Sequence, residues 1–189
     1  MALESMDKCN KKRKMLMKYL KKTMIIVCLL CAVCYGLLVL ILGYPVVLNI
    51  SSNVQHPTTT YFKNQTINPL NSFDFNSNDW IAYLLINNED YKLIKGDLIG
   101  SKLITKDISV LNLLKKECEF TYTKGDLCTA TSSFVLYKNG NKVFETGVVI
   151  EKSMQGFQSQ DYGWITSKHN LIKVFNRFDK IKSPLVILK

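Results

Sequence analysis

Residues 24–43 form an unbroken apolar run, from Met24 through Leu42 to Gly43, with no charge and no strongly polar side chain. At about 1.5 Å per residue, a helix of that length matches a bilayer core of roughly 30 Å. No rotation of the segment offers a polar face, so its surface has to meet lipid or other membrane helices. The pattern predicts a transmembrane helix.

Beyond it the pattern breaks into short runs. Pro45, Pro57 and Pro69, with crowded Asn, Ser and Thr, predict that residues 44–79 are a linker or loosely packed lead-in without regular elements. Residues 80–189 then read as one compact domain, long enough for a modest single core. Residues 80–86 suit a strand or a short buried helix, which periodicity cannot separate at this length. Asn87, Asn88, Glu89 and Asp90 read as a turn, and 91–94 and 98–104 as short strands set off by Gly96 and Gly100. Asp107 suits the N-cap of a short helix carrying Val110, Leu111, Leu113 and Leu114, with Lys115 and Lys116 in its last turn.

The clearest local signal is a hairpin. Strand-like runs 129–137 and 142–150 flank Asn139 and Gly140, the pair best suited to a type I′ turn because both central residues need positive φ. That register sets Leu136 opposite Val143 and Val135 opposite Phe144. Residues 170–180 carry helical periodicity through Leu171, Val174, Phe175 and Phe178, Pro184 stops the helix, and 185–188 read as a final strand inside the sheet. The expected class is α+β: a single N-terminal transmembrane helix, then a small exported domain with a mainly antiparallel sheet, a central hairpin and one or two packed helices. Its divisions are a tail (1–23), the anchor (24–43), the linker (44–79) and the domain (80–189).

Charge supplies an orientation. The chain has 25 basic and 15 acidic residues. Eight basic and two acidic ones precede the run, leaving 17 against 13 after it, a net of +4. Basic residues beside a span favour the cytoplasmic side, so the N-terminus is expected inside and the domain outside. A cleaved signal peptide is the rival, but the run exceeds the usual apolar length of such peptides and lacks a good small-x-small cleavage site. The expected setting is a bacterial inner membrane with a periplasmic domain. The basic tail lies where anionic headgroups attract it, and without aromatics or a folded reader it is not expected to bind nucleic acid. Sequons at Asn49 and Asn64 are no more than composition explains.

Cysteine usage divides at the membrane. Cys28, Cys31 and Cys34 lie in the span, where they read as small apolar residues rather than iron–sulfur ligands, since a fourth ligand is missing. Cys118 and Cys128 follow the span and bracket a turn at Lys124, Gly125 and Asp126, so a disulfide is expected in an oxidising compartment. With those two paired, His169 and His56 do not suffice for zinc, and no metal or cofactor is expected. No nucleophile elbow, phosphate-cradling loop or metalloprotease helix occurs. Glu145, Glu151 and Asp161 read as solvated carboxylates rather than a glycosidase pair.

One stretch has the make-up of a contact surface. Phe157, Tyr162 and Trp164 alternate with Gln158, Gln160 and Asp161, and these six are the candidate partner-binding residues. The competing reading puts the rings in the core. The expected function is a membrane-anchored, non-catalytic binding or accessory domain that engages a membrane or secreted protein. An inhibitor or immunity-type protein guarding the outer side of the membrane is the first alternative, and an enzyme with an unfamiliar site the second.

Overall fold

The computed structural model describes residues 2–42, 45–50, 60–77, 79–125 and 130–188. It divides into two compact units, Met1–Leu42 and Gly43–Lys189. The first is a single helix, α1 (Ala2–Leu42). Within it Met15–Leu37 is long and apolar enough to cross a membrane, and none of that window is buried. Exposed Leu16, Ile25, Leu29 and Val33 are what a lipid-facing helix displays. This suits a single-pass membrane protein or a signal anchor.

The second unit is α+β. In chain order its elements are β1 (Val46–Asn49), β2 (Thr66–Ile67), β3 (Trp80–Leu85), α2 (Asn88–Ile94), β4 (Lys102–Thr105), α3 (Ile108–Glu117) and β5 (Phe120–Gly125). Then come β6 (Ser132–Lys138), β7 (Asn141–Ile150), β8 (Gln155–Ser159), β9 (Gly163–Ser167), α4 (Leu171–Phe175), β10 (Asp179–Lys180) and β11 (Leu185–Leu188). Nine strands form an antiparallel sheet in the order β10-β4-β3-β6-β7-β8-β9-β5-β2, while β1 and β11 pair in parallel as a separate ribbon. The main core lies on the face covered by α3 and α4, where Phe134, Phe157, Phe175, Leu111 and Leu114 are all fully buried. A smaller core of Leu85, Val135, Tyr137, Ile181 and Leu188 lies apart from it, and Val47 and Val186 of the ribbon pack against it.

The hairpin β6–β7 sits mid-sheet, with Asn139 at φ 52° and Gly140 at φ 76°, as a type I′ turn requires. Its register departs from expectation beyond the first two pairs. Tyr137 pairs with Lys142, but Leu136 then pairs with Phe144 and Val135 with Glu145, so Val143 is the extra residue of a β-bulge. Side chains alternate along a strand, so this one insertion moves Phe144 onto the main-core face with Phe134, 6.3 Å away between ring centres.

Four other expectations need correction. Residues 87–94 form α2 rather than a turn and strand: Asn87 Oδ1 accepts from the Glu89 N–H at 3.1 Å, and Glu89 and Asp90 sit in the favourable first turn. The lead-in is not structureless, since it supplies β1 and β2 and buries Ile67, Leu70 and Phe75. The helix after Asn170 ends at Phe175 with Asn176 as its C-cap, whose side chain reaches the 97–99 loop, donating to Asp97 O at 2.7 Å and accepting from the Ile99 N–H at 2.9 Å. Strand β11 lies in the ribbon, not inside the main sheet. The α3 helix begins as expected, with Asp107 Oδ1 accepting from the Ser109 N–H at 2.7 Å. The Ser109 hydroxyl, which donates to the same oxygen at 2.7 Å, and then the Ser109 N–H hold the Asp107 carboxyl below its ordinary value.

Candidate binding surfaces

The aromatic and amide stretch folds into the hairpin β8–β9, with its tip at Gln160, Asp161 and Tyr162. Its rings are not displayed. Phe157 is fully buried, 4.6 Å from Phe120 and 5.8 Å from Phe134 between ring centres. Tyr162 is 6% exposed, and its hydroxyl lies 2.6 Å from Thr146 Oγ1, which also donates to Gln158 O at 3.0 Å. Burial pushes the Tyr162 phenol well above its ordinary value, so it stays neutral. Trp164 is 5% exposed and lies across Gly156 on the opposite face from Ile165. All three aromatics are thus buried. What the hairpin offers to solvent is Gln160, with Gln158 and Asp161 partly accessible.

Cys118 is a free thiol at the C-cap of α3, and its N–H donates to Leu114 O at 2.8 Å. Cys128 lies outside the described residues, so the Cys118–Cys128 disulfide stands as a proposal for the oxidised chain. Full burial, with Glu117 adjacent, raises the Cys118 thiol far above the reactive range. Iodoacetamide is therefore expected to leave Cys118 untouched in the native domain and to alkylate it after unfolding with reductant, as read by peptide mass spectrometry. Labelling of the folded chain within minutes would contradict that burial. Protection of both thiols in unfolded, non-reduced protein would establish the disulfide.

A site that sequence reading missed lies at one end of strands β3, β4 and β6. A cleft of about 420 Å³ opens there, lined by Pro45, Val46, Asn87, Asn88, Lys102 and Thr131. The Lys102 ammonium donates to Ile86 O at 2.8 Å, and partial burial lowers its pKa. Next to it a smaller groove of about 130 Å³ is bounded by Asp90, Leu93, Thr131 and Glu151. Asp90 is held in place, accepting from Ser132 Oγ at 2.5 Å and Thr131 Oγ1 at 3.0 Å, while Ser132 Oγ accepts from the Asn87 N–H at 2.9 Å. Asn87 reads from the sequence as a turn residue, and the convergence of β1, α2, β4 and the approach to β6 is long-range and left no local trace.

The remaining candidates for chemistry are dispersed. Glu145 pairs with Lys142, whose side chain is 4% exposed, and His169 Nδ1 lies 3.3 Å from Glu117. His56 lies outside the described residues. Among the described residues no three His, Cys, Asp or Glu side chains gather as a metal site would need.

A third feature is apolar. On the outward side of the β1–β11 ribbon Val46 pairs with Leu185 and Leu48 with Ile187, and these four are 41–49% exposed, with Ile50 at 66%. No family model, curated protein or solved structure matches the chain.

Proposed function

We propose that this chain is a membrane-anchored, non-catalytic accessory protein whose C-terminal domain lies outside the cytoplasm and engages a membrane or secreted protein. The observation that carries this reading is the open cleft beside β1, whose lining combines amides, a hydroxyl and one partly buried ammonium. Such groups match the carbonyls, N–H groups and carboxylates of a polypeptide segment, and a partner carboxylate would offset the desolvation of Lys102. The orientation rests on the eight basic residues that precede the apolar run.

A photo-crosslinking residue at Asn88 is expected to trap one defined partner in native membranes, whereas the same residue at the hairpin tip, Asn139, is not. Lys102→Glu should remove the Asn88 adduct with the fold intact by circular dichroism. An adduct at Asn139 alone, or a measurable turnover lost on changing Glu151, Asp161 or His169, would overturn the proposal.

A further inference from the structure

The outward face of the β1–β11 ribbon is the other feature that packing leaves uncovered. Strand alternation sends Val47, Val186 and Leu188 toward the smaller core and Val46, Leu48, Leu185 and Ile187 away from it. The outward four, with Ile50, form one apolar stripe across two paired strands, at 41–66% exposure. A contiguous exposed patch of branched aliphatics marks a surface that meets something apolar.

The covalent chain says what that is. Only Gly43, Tyr44 and Pro45 separate the end of α1 from Val46. Four residue steps span at most about 14 Å, and the headgroup zone on each side of the hydrocarbon is about 5–8 Å deep. Because the apolar run itself continues to Gly43, β1 starts within reach of the lipid interface. Lys182 is exposed in the segment leading into β11 and carries the charge that suits lipid phosphate. We infer that the outward face of the β1–β11 ribbon lies in the membrane interface, with Leu48 and Ile187 seated among the upper acyl chains. The inference rests on the membrane-anchor reading and adds a second lipid contact, one that would limit the domain's rotation about its tether.

The test uses the full chain reconstituted into phosphatidylcholine vesicles, with Ile187→Cys carrying an environment-sensitive fluorophore and Asn139→Cys as the solvent reference. Cys9, Cys28, Cys31, Cys34 and Cys128 are replaced by Ser or Ala, and buried Cys118 is retained. Nitroxide-bearing lipid is expected to quench the label at 187 at least about threefold more than the label at 139, as a site immersed to the acyl boundary requires. Equal quenching at the two positions would overturn the inference. So would a label at 187 shielded from both lipid nitroxide and aqueous iodide, which would assign the face to a second copy of the chain. An alkaline carbonate wash separates the two readings. A chain that washes off the vesicles defeats the anchor and the inference together, whereas one that stays inserted with position 187 open to iodide defeats the inference alone.

Discussion

Gly156→Ala is expected to unfold the domain or leave it at the edge of stability. A Cβ at this position in β8 would stand 2.2 Å from Ile165 O and 2.4 Å from a ring carbon of Trp164. The first of these atoms is backbone in the neighbouring strand, so it cannot yield without breaking the β8–β9 ladder. Overpacking ordinarily costs about 1–3 kcal/mol, and here both the ladder and the indole have to shift, so a loss of about 3 kcal/mol or more is expected against a usual total of roughly 5–15 kcal/mol. Urea denaturation followed by tryptophan fluorescence measures it directly. A midpoint unchanged from the parent would show that Trp164 does not lie across Gly156. Gln160→Ala, at the exposed tip of the same hairpin, is the control and should remain within about 0.5 kcal/mol of the parent.

Phe157→Ala carries the second large effect. Its ring is fully buried between Phe120 and Phe134 and belongs to the main core. Truncation leaves a cavity that rigid strands on both sides cannot close, and such losses run to about 3–5 kcal/mol. The same variant separates the two readings of the aromatic stretch. If Phe157 serves only as core, capture of a partner falls in proportion to the folded fraction. Lost capture at an unchanged denaturation midpoint would instead make the ring a binding anchor and contradict its burial.

What the sequence conveyed depended on how local each signal was. Asn139 and Gly140 specified their turn because positive φ at two successive positions is a property of the residues themselves. Asp107 specified the start of α3 for the same reason, since capping involves atoms two residues apart. The register of the same hairpin was not legible, because the bulge at Val143 is settled by where Phe144 finds a core, and that core comes from β8 and α4 as well as β6. The helix expected through residue 180 stops at Phe175, and Asp179 and Lys180 pair instead with Ile104 and Leu103 of β4, which are far away in sequence.

The candidate site follows the same division. Alternating rings and amides in residues 157–164 suit a core strand and a contact surface equally, and sequence had no means of choosing between them. Gly156 carried a further hint, since glycine inside a strand often marks the close approach of another group. The cleft beside Lys102 had no such hint, because its walls come from four places in the chain.

The ribbon also dictates an order of events. It joins the first of the eleven strands among the described residues to the eleventh, and it does so in parallel. Loop-closure entropy makes so distant a contact slow to form. During synthesis β1 emerges early and has no strand to pair with until nearly all of the second unit has followed. Over that interval its valines and leucine are exposed, and the smaller core lacks the cover that Val47 and Val186 provide. Maturation of this domain is thus completed from its two ends inward on themselves, with the seam closing last.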